Sequence, residues 1–252
     1  MFDQRLHVKE RLDAEVTKRN DPLELTSFAS PDPLHVATLY QDEYSALICA
    51  LYAYGNATAI VKFLSSLDFS LLDASEACIK KSLRDPLYRF QTNEDVIESF
   101  ITLRRMKHEM SLNELFLKGY ERSHQVMDGV QYIIKRFYAI NPYRSYGYNF
   151  WLGKTFDTTP VAPYKRWNMY LRWMVRNDHI DMGLWQGVAT KNLLMPLDTH
   201  THKVALKLGL MKRKSYDFKA VMELTETLRT FDANDPVKYD FALYRLGQEK
   251  SL

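Results

Sequence analysis

Two residues of types suited to covalent chemistry stand at the starts of two apolar-periodic segments. Lys165 lies in PYKRWNMYLRWMVR (163–176), where Trp167, Tyr170, Leu171 and Met174 recur at helical spacing, with Arg166, Arg172 and Arg176 at the margins of that face. The positive end of a helix dipole favours anions and works against a protonated amine. A part-buried lysine in a first turn is therefore suited to act as a neutral amine nucleophile, the kind that forms Schiff bases. The position also suits an ordinary surface lysine. Asp198 follows an apolar segment in LMPLDTHTHKVALKLGL (194–210) and opens a helix, so its carboxylate is a natural N-cap. His200 and His202 suggest a metal pair with Asp198. Histidines two apart point to different sides of a helix, however, and a zinc site needs three or four converging ligands. Neither a metal nor a cofactor is expected.

Nearly every segment that must position these residues reads as helix. Apolar residues recur three or four apart over 57–67, 93–107, 125–140, 163–175, 199–208, 217–231 and 236–246. Ser111 and Glu114 form a capping box, and Asp235-Pro236 offers an N-cap followed by proline at the first helical position. Gly209 and Gly247 sit where helices should stop. No stretch alternates with period two, so the expected class is all-α, with roughly ten helices. The least regular region, 141–163, is rich in aromatics, Gly and Pro and reads as loop. It makes Trp151 a candidate for stacking, whereas Trp167 reads as core.

Composition bounds the functional classes. The chain has 252 residues, 46% hydrophobic and 26% charged, which describes a folded globular protein. A net charge of +3 permits nucleic-acid binding without arguing for it. Aromatics at 13% suit a bulky core or base-stacking surfaces. The longest apolar run, YSALICALYAY (44–54), is far short of the roughly 20 residues a bilayer requires, so no membrane association is expected. The first residues, MFDQRLHVKERLDAEV, have acidic side chains and no apolar stretch, unlike a signal peptide. A cytoplasmic place with reduced thiols is expected. Cys49 and Cys78 are too few for a four-cysteine cluster.

Taken together, LDTHTHKVALKLGL (197–210) and PVAPYKRWNMYL (160–171) resemble the helix-hairpin-helix, endonuclease III-like DNA glycosylases. The first resembles their VDTHVxRVxxRLGL signature, whose aspartate falls here on Asp198. The catalytic lysine of that family falls on Lys165. The spacing between the two is longer than in endonuclease III and is similar to the archaeal 8-oxoguanine glycosylase branch, the extra length being the insert 176–195. LYAYGNATAIVKFL (51–64) resembles the segment that wedges into DNA where a base has left the stack, which places Tyr54, Gly55 and Asn56 at the gap. KYDFALYRLG (238–247) resembles the late helix closing the base pocket, where Asp240 and Tyr244 would contact the flipped base beside Pro196. The whole chain is also similar to an uncharacterised bacterial family of that superfamily sharing MVR, PLDTH and FDxxDPVKYDFAL.

This resemblance implies a two-lobed helix-hairpin-helix DNA glycosylase fold without an iron–sulfur cluster, its active site in the cleft between lobes. Lobe A covers approximately 42–176, a helical barrel with a hairpin-like element at 156–166; lobe B covers approximately 1–41 plus 177–252. The implied activity is excision of a damaged base, 8-oxoguanine first among them, by base flipping, with AP lyase chemistry through Lys165 and Asp198. The implied partner is damaged double-stranded DNA, single strands being left open, bound by a monomer in the nucleoid. The usual hairpin reads LPGVGRKTA; here FDTTPVAPYKR has neither glycine, so Thr158, Thr159 and the helix start would replace those phosphate donors. Lys154, Arg166, Lys203 and Lys207 would hold further phosphates, or serve as solvated surface charges. Two alternatives stay open: a catalytically silent DNA-binding protein on the same fold, and a helical metal-dependent hydrolase using Asp198, His200 and His202.

Overall fold

A computed structural model describes residues 2–26, 31–84 and 88–248. Among these residues the protein is all-α, with thirteen α-helices linked by 3-10 turns and loops. The chain divides into two compact units. Residues 27–157 form a continuous unit, and residues 1–26 with 158–252 form a discontinuous one. Both boundaries fall earlier than the sequence suggests, at 26/27 and 157/158 rather than near 42 and 176. The second boundary moves because the segment after the Lys165 helix folds back onto its end. Met182 and Gly183 donate to the Trp173 carbonyl at 3.0 and 3.2 Å, and Trp185 donates to that of Met174 at 2.8 Å.

Helix α1 (Phe2–Arg19) opens the discontinuous unit. It buries Leu12, and its Asp13 accepts from Tyr239 Oη at 2.8 Å. The continuous unit holds α2 (Pro33–Thr38), α3 (Glu43–Leu51), α4 (Ala57–Ser65), α5 (Glu76–Ser82), α6 (Asn93–Lys107), α7 (Leu112–Tyr120), α8 (Val126–Ile140) and α9 (Tyr146–Leu152). The long apolar run becomes α3, buried from Tyr44 to Leu51, which is why it is apolar on every side. The expected capping box closes at α7. Glu114 N donates to Ser111 Oγ at 3.1 Å, and Ser111 N donates to Glu114 Oε2 at 3.2 Å. A Cβ on Gly129 of α8 would run into the Phe116 ring of α7, so this glycine sets how closely the two helices approach.

Helix α9 lies where a loop is expected. Ser145 caps it by accepting from Tyr148 N at 2.9 Å, and Gly153, with φ +94°, ends it. Tyr148, Trp151 and Leu152 turn inward. Trp151 is 0% exposed among Tyr52 and Tyr148, so its expected part in stacking is corrected to core.

The discontinuous unit resumes with α10 (Lys165–Val175), α11 (Thr199–Lys207), α12 (Phe218–Arg229) and α13 (Asp240–Gln248). Gly209 follows α11 with φ +69°, a stop as expected. Two other signals act differently. The helix expected over 236–246 splits into a 3-10 turn, Pro236–Tyr239, and α13; Asp235 makes no side-chain cap and instead binds Arg176. Gly247 is not a stop but lies within α13. A Cβ there would strike His200 and Val204 of α11, so its bareness lets α13 press against α11.

Candidate active site

The start of α10 is irregular. Tyr164 is left-handed, φ 50°, and provides no side-chain cap. Asn168 fixes the entry instead, with Nδ2 donating to the Pro163 carbonyl at 3.1 Å and its amide to that of Tyr164 at 3.0 Å. The next residue, half-buried Lys165, turns its amine along its own helix, with Nζ 3.4 Å from Met169 Sδ. A thioether is a weak acceptor. Among the described residues no carboxylate lies within ion-pairing distance of this amine.

Asp198 caps α11 as its position predicts. One oxygen, Oδ1, accepts from His200 N at 2.9 Å and Thr201 N at 2.7 Å. The approach is made by the buried stretch 193–197, which includes Pro196. Tyr216 Oη donates to the Leu197 carbonyl at 2.9 Å. Burial pushes that phenol up to about 12, and the charge of Asp198 adds to the rise. Nothing in the sequence marks Tyr216 as a neighbour of this cap.

Asp240 opens α13 and is 7% exposed. Its Oδ2 accepts from Arg172 Nη1 at 2.5 Å. Burial pushes its carboxyl up to about 6; Arg172 and Lys165 pull it down, and Asp198 pushes it further up. Asp240 is thus within the electrostatic reach of both Lys165 and Asp198. Three residues read separately from the sequence share one neighbourhood of the discontinuous unit.

Behind Asp240 runs a charge network that helical spacing did not reveal. Arg172, expected at a margin, is 4% exposed and also binds Asp181 Oδ1, at 3.1 Å through Nη2. Arg176 binds Asp181, Asp178 at 2.9 Å and Asp235 at 3.0 Å. Burial raises the Asp181 carboxyl against the pull of both arginines. For Asp178 burial is outweighed by Arg176 and by the amides of Asp181 and Ile180, and its carboxyl is lowered. Burial works to lower Arg176, but Asp181, Asp235 and Asp178 prevail and raise it. The arrangement R-x3-R-x-D-x2-D over 172–181 is its signal in the sequence.

The remaining candidates are dispersed. Tyr244, one turn after Asp240, is half-buried, and its hydroxyl accepts from Gln248 Nε2 at 2.8 Å. Thr158, Thr159 and Lys203 are exposed, while Arg166 is half-buried in the first turn of α10. Lys154 and Lys207 are also exposed. Trp167 is buried in the core. In the continuous unit Tyr54 is half-buried, and exposed Gly55 has φ +113°. Asn56 caps α4, its Oδ1 accepting from Thr58 N at 3.0 Å and Ala59 N at 3.3 Å. His200 and His202 do not pair. His202 is buried with Nε2 on the Arg213 carbonyl at 3.0 Å, and His200 faces Gly247. Among the described residues no three His, Cys, Asp or Glu side chains converge. No helix among them is long and apolar enough to cross a membrane.

Fold and site together define an all-α protein with a lysine at a helix start, a capping aspartate and a buried, arginine-bound aspartate in one unit. The chain belongs to the family described as protein of unknown function, DUF2400, whose model matches residues 32–249. No curated protein and no solved structure matches it.

Proposed function

We propose that this protein is a DNA glycosylase with AP lyase activity, acting on damaged double-stranded DNA as a monomer and excising 8-oxoguanine or a related purine lesion. The observation that carries the reading is a lysine amine at the start of α10 that rests on a thioether rather than on a carboxylate, in the same unit as the capping Asp198 and the buried Asp240. A base stacked in a duplex is out of reach of such a group, so it must be flipped out, at a cost of a few kcal/mol.

Lys165, as the neutral amine, attacks C1′ of the flipped nucleotide. The glycosidic bond breaks, its electron pair leaves with the base, and the base takes up a proton. Asp198, through the oxygen that does not cap α11, stabilises positive charge developing on the sugar and receives the proton that the lysine nitrogen sheds. Opening of the sugar ring gives the Schiff base, and loss of a proton from C2′ then expels the 3′ phosphate by β-elimination. Asp240 accepts a hydrogen bond from a purine N–H, while Arg172 holds its other oxygen. Thr158, Thr159, Arg166 and Lys203 contact phosphates, which position the strand without reading it.

Borohydride added to the protein with an 8-oxoguanine duplex should trap a covalent adduct, and Lys165→Gln should abolish it. The absent hairpin glycines favour a second reading, a silent DNA-binding protein of the same fold. Failure to trap any adduct across a panel of damaged bases, with duplex binding retained, would establish that one instead.

A further inference from the structure

Among the large rings exposed on the continuous unit are Phe90 (43% exposed), Tyr146 (77%) and Phe150 (38%). These three form one cluster. Tyr146 and Phe150 are four apart on α9 and share a face. The Phe90 ring centre lies 5.4 Å from that of Tyr146 and 4.9 Å from that of Phe150. Tyr54 closes the inner edge, 4.9 Å from Phe150 and 5.8 Å from Phe90. Core packing accounts for Tyr148, Trp151 and Leu152 on the inward side of α9, but asks nothing of the outward side. A contiguous exposed aromatic patch marks a binding surface more often than scattered apolar residues do.

The cluster is rigidly built. Tyr54 Oη donates to Gln91 Oε1, and Gln91 Nε2 donates to the Gly147 carbonyl at 3.1 Å. Tyr88 Oη donates to the Tyr54 carbonyl at 2.5 Å. Cations accompany the rings. The exposed Arg89 guanidinium lies 5.7 Å from the centre of the Tyr54 ring. Exposed Arg144 and Lys154 flank α9 in sequence, against the exposed carboxylates Glu94 and Asp157. Exposed rings held in place beside an arginine suit a ligand that is flat, stackable and anionic. In a nucleic-acid duplex the base faces are hidden; in a single strand they are free.

We propose that Tyr54, Phe90, Tyr146 and Phe150 form a stacking platform for unpaired bases of single-stranded nucleic acid, with Arg89 contacting its phosphates. This goes beyond the Lys165 chemistry and stands without it.

The test uses the full chain and a fluorescein-labelled oligothymidylate, read by fluorescence anisotropy against a duplex of equal length. Wild type should prefer the single strand. Replacing Phe90, Tyr146 and Phe150 singly by alanine should weaken single-strand affinity about tenfold per ring, with little effect on duplex binding. Arg89→Ala should reduce the slope of log affinity against log salt by about 0.7. The rings are exposed, so circular dichroism and melting curves of the variants should match wild type. Equal binding of the oligothymidylate by wild type and the triple variant overturns the proposal, as does absence of binding by wild type. So does loss of self-association in the triple variant, seen by light scattering, with single-strand binding intact; the patch would then be an interface between copies. Borohydride trapping with the same variant reads Lys165 separately, so either reading can fail alone.

Discussion

Asp240 answers to two partners. Its Oδ2 is held by Arg172, and in the proposed reaction it also accepts a purine N–H. Only the ionised carboxylate can do both, and burial has pushed the group up to about 6. It is therefore an acceptor above that pH and a protonated acid below it. Discrimination between 8-oxoguanine and guanine should fall as pH is lowered through about 6, in single-turnover excision assays. Asp240→Ala should lose both the discrimination and its pH dependence. Unchanged discrimination in that variant would remove Asp240 from lesion recognition while leaving Lys165 in place.

At the scale of the element, α10 carries the proposed nucleophile and two structural arginines along one rod. Lys165 stands in its first turn, Arg172 near its end and Arg176 just beyond. Arg172 neutralises two carboxylates, Asp181 and Asp240, that are almost entirely buried. Arg172→Met leaves both without this partner, and breaking a buried pair from one side costs about 3–5 kcal/mol. Urea unfolding should show a loss of that size. A loss below about 1 kcal/mol would mean that water or Arg176 takes over. The sequence foretells α6 by its apolar period, α7 by its capping box, and α11 by its period and its Asp198 cap. It hides α9, whose seven residues place aromatics on both faces and so erase the period. It also hides the Arg172–Asp240 pair, because nothing local to either residue signals a partner so distant in the chain. Position alone did not single out Lys165 or Asp198, since a helix start equally suits an ordinary lysine and a plain cap; the resemblance of their two segments to a known signature did.

At the scale of the whole molecule, the discontinuous unit draws on both ends of the chain. Helix α1 lies before the residues matched by the family, yet Leu12 and Leu25 are buried, and Arg245 contacts Glu24 at 3.3 Å. Removing residues 1–26 forfeits at least these two leucines, a loss of about 3–6 kcal/mol from burial alone. Hydrogen exchange should then rise across α13 and the 236–239 turn, while α3 and α6 of the continuous unit keep their protection. Equal loss in both units would show that they unfold as one.

That discontinuity bears on how the protein is made. A ribosome releases residues 27–157 as an unbroken stretch that contains its own core, so this unit can close while synthesis continues. Helix α1 is made before its partners on α13 and has to wait for them. At ordinary elongation rates the delay is on the order of ten seconds. Throughout it the Leu12 face of α1 is uncovered, making this helix the natural client of a nascent-chain chaperone.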